Sequence, residues 1–215
     1  MTGGGPGVLS VGLTGGIACG RSTVGGVMRR LGACVVDMDE VAHRLMEPGG
    51  AAVPGITAEF GPEVVSEAGG IDRKKLGGIV FRDPAKRSRL EAILHPMILA
   101  ESDRIIGEFM RRHGGGIAVS DGAVLIESGG WRRYERLVVV VCDPGLQLAR
   151  LMARDGLPEA EARARIEAQM PVDEKRAYAD YLIDTSGSLA ETEAKATDLF
   201  RKLQGELDDR SRSGT

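Results

Sequence analysis

Apolar residues fall along this chain in two alternating rhythms. Val8 to Thr14 (VLSVGLT) is a short apolar run rich in β-branched residues and bounded by glycines, the pattern of a buried strand. After it Val24, Val27, Met28 and Leu31 recur at i, i+3, i+4 and i+7, which predicts a helix from Ser22 that ends near Gly32. Ala33 to Asp37 predicts a second strand, and Ile117 to Asp121 and Leu137 to Cys142 two more. The last of these carries four consecutive valines, as a parallel strand covered on both faces would. A weaker strand is predicted at Tyr181 to Asp184.

Between the second and third strands, residues 47–113 are mostly helical in pattern and interrupted by Gly and Pro. That is too long for a simple crossover, and it predicts an inserted helical subdomain. Asp143-Pro144-Gly145 starts a helix reaching Arg154, and Gly156-Leu157-Pro158 separates it from another ending at Gln169. A final helix is expected from Leu189 to Leu207, with a frayed SRSGT tail and poor order in the first seven residues. Strands alternating with helices imply an α/β fold with a doubly wound parallel sheet, which binds ligands at the carboxyl ends of its strands.

Composition narrows the chemistry. A formal charge of −3 over 215 residues argues against a global nucleic-acid field, and aromatic residues are few. Three scattered cysteines, Cys19, Cys34 and Cys142, suggest neither a disulfide framework nor a zinc site. With no signal peptide and no membrane-length apolar run, a cytoplasmic protein is expected, with no membrane partner.

One stretch carries specific chemistry. GGIACGRST, Gly15 to Thr23, has the spacing G-x-x-x-x-G-K-[ST] with Arg21 in the lysine position. Set between a strand and a helix, such a loop offers unpaired backbone N–H groups to a phosphate. Ser22 would place its hydroxyl on Mg²⁺, and residue 21 would reach the β- and γ-phosphates of ATP. A dinucleotide fingerprint would need glycine at position 17, where Ile17 stands.

Asp37 and Asp39 follow the second strand: Asp37 can simply end the strand and Asp39 cap the next helix, or one carboxylate can serve a phosphate loop, and Asp39 is the better placed to accept a hydroxyl proton. Arg150 and Arg154 lie one helical turn apart, as a solvated face or as a lid closing over ATP.

The ordered set GLTGGIACGRST, VVDMDEVAHRLMEPG, EFGPEVV, IDRKKL, AILHPMI, VLIESG and QLARLMARDGLPEAEARARIEAQMPVDEKRAYADYLID resembles the dephospho-CoA kinase family from about Val8 to Leu203. The resemblance implies a P-loop NTPase-type core at residues 1–46, 114–145 and 173–215, a helical substrate-binding subdomain at 47–113 and a lid at 146–172. It implies ATP as donor, Mg²⁺, and dephospho-CoA as a small-molecule substrate. By that likeness Gly15, Gly16, Ala18, Cys19, Gly20, Arg21, Ser22 and Thr23 hold ATP phosphates. Asp39 activates the ribose 3′-hydroxyl, Arg150 and Arg154 come from the lid, and His95 and Glu127 belong to the substrate side. His95 can equally be a structural histidine with Pro96 starting a new helix.

Four positions depart from the family's pattern: Arg21 for lysine, Ala18 for glycine, Ala123 for proline and Thr185 for asparagine. Ala18 is mild if its φ is negative and strained otherwise. Another small-molecule P-loop kinase, or a non-catalytic nucleotide-binding regulator, would share the loop.

Overall fold

The computed structural model describes residues 7–81 and 83–213. Its elements run β1 Val8–Gly15, α1 Arg21–Arg30, β2 Cys34–Asp37, α2 Met38–Met46, α3 Val53–Phe60, α4 Arg73–Val80 and α5 Pro84–His113. There follow β3 Gly116–Asp121, β4 Arg136–Val141, α6 Pro144–Asp155, α7 Glu159–Glu167, α8 Val172–Arg176, β5 Tyr181–Asp184 and α9 Leu189–Ser213. Two compact units emerge, one of residues 1–36 with 106–215 and one of residues 37–105.

The first unit is built on a five-stranded sheet in the order β2-β3-β1-β4-β5, in which β1 pairs in parallel with β3 and β4, and β4 with β5. Register places Gly15, the last residue of β1, beside Val140. The valine run of β4 shows why the sheet needs two covers. Val138 and Val140 face a core made with Val24, Val27 and Met28 of α1 and with Ala196, Leu199, Phe200, Leu203 and Leu207 of α9. Leu137, Val139 and Val141 face the other side with Ile126, packed by Trp131, Met170 and Val172. Period-two alternation thus supplies both cores from one strand. All four valines are fully buried, each contributing about 1.5–3 kcal/mol by leaving water.

In the second unit Met46, Ala52, Ile56, Phe60, Val64, Ile71, Leu76 and Leu94 form a separate core, with an antiparallel bridge between Val65 and Ile71. Pro96 does not start a helix; it lies inside the 30-residue α5. Proline cannot donate to the carbonyl four residues back, and here that residue, Ala92, is exposed, so water can serve its oxygen. Leu90, Ile93, Leu94, Met97 and Ile98 pack on the core from both sides of the proline and carry the helix across it.

The C-terminal helix also exceeds expectation, reaching Ser213 instead of Leu207. Arg210 pairs with Glu135, and Ser211 Oγ donates to the Leu207 carbonyl at 3.1 Å, which holds the turns beyond the apolar stripe. Of the ends expected to lack order, residues 1–6 and 214–215 lie outside the described residues. No helix among the described residues is long and apolar enough to cross a membrane.

Candidate active site

The loop after β1 is shaped by what lies behind it. A Cβ at Gly15 would collide with the Val140 carbonyl, so only glycine lets β1 pass β4 there and turn. Cys19 N donates to Gly16 O at 3.1 Å, folding the loop on itself. Gly20, at φ 83°, is the N-cap of α1, whose start has no side-chain cap and no acidic residue in its first turn. The first N–H groups of a helix have no intrahelical acceptor, so this turn offers donors and a positive dipole end to an anion. Ser22 is exposed on that turn.

The backbone of Ile17 is gripped on both sides of its Cα. Its N–H donates to Gln169 Oε1 at 2.8 Å, and its carbonyl accepts from Gln147 Nε2 at 2.9 Å. Ala18 follows at φ 59°, the left-handed region, so the alanine is strained by roughly 1–2 kcal/mol relative to a helical or extended one. Thr185 Oγ1 donates to the Cys19 carbonyl at 2.8 Å and fixes the next peptide. That contact gives Thr185, fully enclosed behind the loop, a part in holding its shape.

Arg21 pairs through Nε with Asp121 Oδ1 at 2.6 Å, the two side chains 18% and 6% exposed. Asp121 ends β3, the strand beside β1, and was not singled out in the sequence. The available signal was a carboxylate closing a buried strand next to the loop strand. Buried with its counter-charge, it is a charge-assisted contact.

The arginines of α6 diverge. Arg150 donates to the Thr185 carbonyl at 2.9 Å and to Thr185 Oγ1 at 3.2 Å. Arg154 pairs with Asp155 at 2.7 Å, and Asp155 also receives Arg165 of α7. The structure therefore places Arg150 behind the loop, and Arg154 in a surface ion network linking α6 to α7.

Glu127 meets a partner the sequence did not mark. Lys175 of α8 is fully buried, and its Nζ contacts Glu127 Oε1 at 2.8 Å and the Ala123 carbonyl at 3.0 Å. Thr14 Oγ1 donates to the same carbonyl, and Met170 N donates to Glu127 Oε1 at 3.2 Å. Nothing in the short polar segment VDEKR distinguishes a buried lysine from a solvated one. This pair anchors α8, whose Val172 lies against Gly16. Beside it opens a cavity of about 670 Å³ lined by Gly16, Cys142, Gln147, Gln169, Met170 and Arg176 among others.

In the second unit the two aspartates after β2 are distinguished by the helix they enter. Asp37 is the cap of α2, accepting from Asp39 N at 2.9 Å and Glu40 N at 3.0 Å through Oδ1. Asp39 stands in the first helical turn and is not the cap. His95 is half-buried within α5.

The sequence profile of the dephospho-CoA kinase family matches residues 9–191. A dephospho-CoA kinase of Symbiobacterium thermophilum is 46% identical over 195 residues, covering 91% of this chain and 81% of its own. A crystal structure from Thermus thermophilus superposes with a TM-score of 0.77 at 32% identity, covering 90% of this chain and 96% of that one. The dephospho-CoA kinase of Campylobacter jejuni superposes at 0.57 and 25% identity, covering 90% and 96%. With an uncapped helix start behind a glycine loop, and with relatives matched along nearly its whole length, the chain belongs to the dephospho-CoA kinase family.

Proposed function

We propose that this chain transfers the γ-phosphoryl group of ATP to the ribose 3′-hydroxyl of dephospho-CoA, giving CoA and ADP, in the cytoplasm, where its three free cysteines suit a reducing environment. The observation that carries the reading is the start of α1: an uncapped helix N-terminus, entered through left-handed Gly20, in a member of this family. Residues 18–23 hold the phosphates of ATP, and Gly15 and Gly16 let the chain enter that loop close against Val140 and Gln147.

Asp39 accepts the proton of the 3′-hydroxyl as it attacks. Residues 47–113, with His95, bind the dephospho-CoA. Residues 146–172 form the lid, and Arg150 and Arg154 answer the charge of the transferring group only by leaving the partners they hold here, Thr185 and Asp155. Glu127 acts on the substrate side through its hold on Lys175 and α8.

The donor set suits Mg²⁺. The Ser22 hydroxyl and the Asp121 carboxylate are hard oxygen ligands, and this ion needs few protein groups when phosphates and water complete its shell. When bound, Mg²⁺ would neutralise charge on the β- and γ-phosphates.

Arg21 keeps a permanent cation at the position of the family's lysine. Nucleotide binding exchanges its carboxylate partner for a phosphate, which costs about 1.5–3 kcal/mol of charge-assisted hydrogen bonding before the new contacts form. The same pairing favours one second reading, a nucleotide-binding regulator that does not turn over.

A coupled ADP-release assay separates the two. Wild type should release ADP only with dephospho-CoA present, and Asp39→Asn should lower kcat by about 10²- to 10⁴-fold. Arg21→Lys should retain activity, with a gain of up to roughly 30- to 1,000-fold if the guanidinium misses the transition-state contact. Absence of dephospho-CoA-dependent ADP release by the wild type would refute the kinase reading.

A further inference from the structure

Two of the three cysteines meet. The sulfurs of Cys19, in the phosphate loop, and Cys142, just past the end of β4, lie 3.2 Å apart in hydrogen-bond contact. Phosphoryl transfer asks for no thiol at either place. A disulfide has sulfurs about 2.05 Å apart, so closing this pair needs a movement of roughly 1.2 Å.

The two sulfurs are unequal. Cys19 is fully enclosed, whereas Cys142 lines the 670 Å³ cavity and can meet a small solute there. The hydrogen bond shared with Cys19 and, against the cost of burial, the Arg150 guanidinium hold the Cys142 thiol below its ordinary value. The hydrogen bond to Cys142 and burial push Cys19 well above its own. Cys142 is therefore the sulfur that attacks, and Cys19 the one that resolves.

We propose that Cys19 and Cys142 are a reversible oxidation site, closed by peroxide into a disulfide that weakens ATP binding at the loop. The Cys142 thiolate attacks one peroxide oxygen, the O–O bond breaks and hydroxide leaves, giving a sulfenic acid. The Cys19 sulfur then attacks Cys142 Sγ, the S–O bond breaks and water departs with the Cys19 proton. Two electrons pass from the sulfurs to one peroxide, which ends as two waters.

The loop gives, not the strand. Val140 and Val141, the last residues of β4, are fully buried, while Ala18 beside Cys19 is already strained at φ 59°. Drawing Cys19 toward β4 shifts the amides of residues 18–20 by a fraction of the sulfur movement. Misplacement on the order of 1 Å can cost about 10²-fold, so kcat/KM for ATP should fall about 10- to 100-fold on closure.

The test treats the full-length wild type with hydrogen peroxide and maps its peptides by mass spectrometry. ATP affinity is read by calorimetry, which needs no turnover, so failure of the kinase reading and failure of the switch are distinguishable. A linked 19–142 peptide, weakened ATP binding and recovery of both by dithiothreitol are expected. Cys34→Ser should keep the response. Cys142→Ser and Cys142→Ala, each judged against its own untreated control, should lose it. Peroxide-treated wild type without the linked peptide, or linked protein that binds ATP as the reduced protein does, would overturn the proposal.

Discussion

Removing Glu127 should harm the fold more than removing the lysine it pairs with. Lys175 is fully buried, whereas the Glu127 side chain keeps 24% exposure. In Glu127→Ala the ammonium retains only the Ala123 carbonyl among its two named contacts, with no access to water. Stranding one partner of a buried pair costs about 3–5 kcal/mol.

In Lys175→Met the carboxylate keeps Met170 N and its exposed face, and the methionine refills most of the lysine's volume. The loss there is closer to one hydrogen bond to a charged group, about 1.5 kcal/mol. At roughly 2–4 °C per kcal/mol for a domain of this size, the Tm gap between the variants should be several degrees. The chain has a single tryptophan, Trp131, packed on the core face that includes Ile126, so its fluorescence during urea unfolding reports on the unit that holds the pair. The double variant should recover part of the Glu127→Ala loss, because it removes the stranded charge. Lys175→Met proving as damaging as Glu127→Ala would refute this account of where water reaches.

Ala18→Gly should raise stability by about 0.5–1 kcal/mol, since relief of the left-handed strain exceeds glycine's added chain entropy; urea midpoints check it, and destabilisation would contradict the observed φ. Asp184 has its carboxyl held below the usual range by hydrogen bonds from the Ser186 side chain and backbone. Its contribution is present above the unfolded value near 4 and is lost as pH falls through the lower folded value. Between about pH 6 and about pH 3, wild type should therefore lose more stability than Asp184→Asn in urea titrations.

The strands were legible in the sequence to within a residue at each end, because a strand buried on both faces leaves an uninterrupted apolar run such as Leu137 to Val141. The long helices were less so. Pro96 reads locally as a boundary, and only packing on both sides of it makes α5 continuous. The last turns of α9 carry no apolar stripe and rest on the pairing of Arg210 with Glu135, 75 positions earlier.

At the site, the loop was visible because its glycines and hydroxyls act through local backbone geometry. Asp121, Lys175 and the glutamines at 147 and 169 were not, since their significance lies in burial and in partners brought near by the sheet. The aspartate pair shows the intermediate case. Residue type announced a cap near the start of α2, and only the backbone of the first turn decided that Asp37 fills it.

The double grip on Ile17 means that the nine-residue signature is not a self-sufficient part. Its entrance is braced by side chains 130 and 152 positions away along the chain. With that amide already committed, the donors presented to an incoming anion begin only at Ala18. A peptide spanning β1 and α1, excised or grafted onto a foreign scaffold, would keep every letter of the motif and lose the braces that give it form.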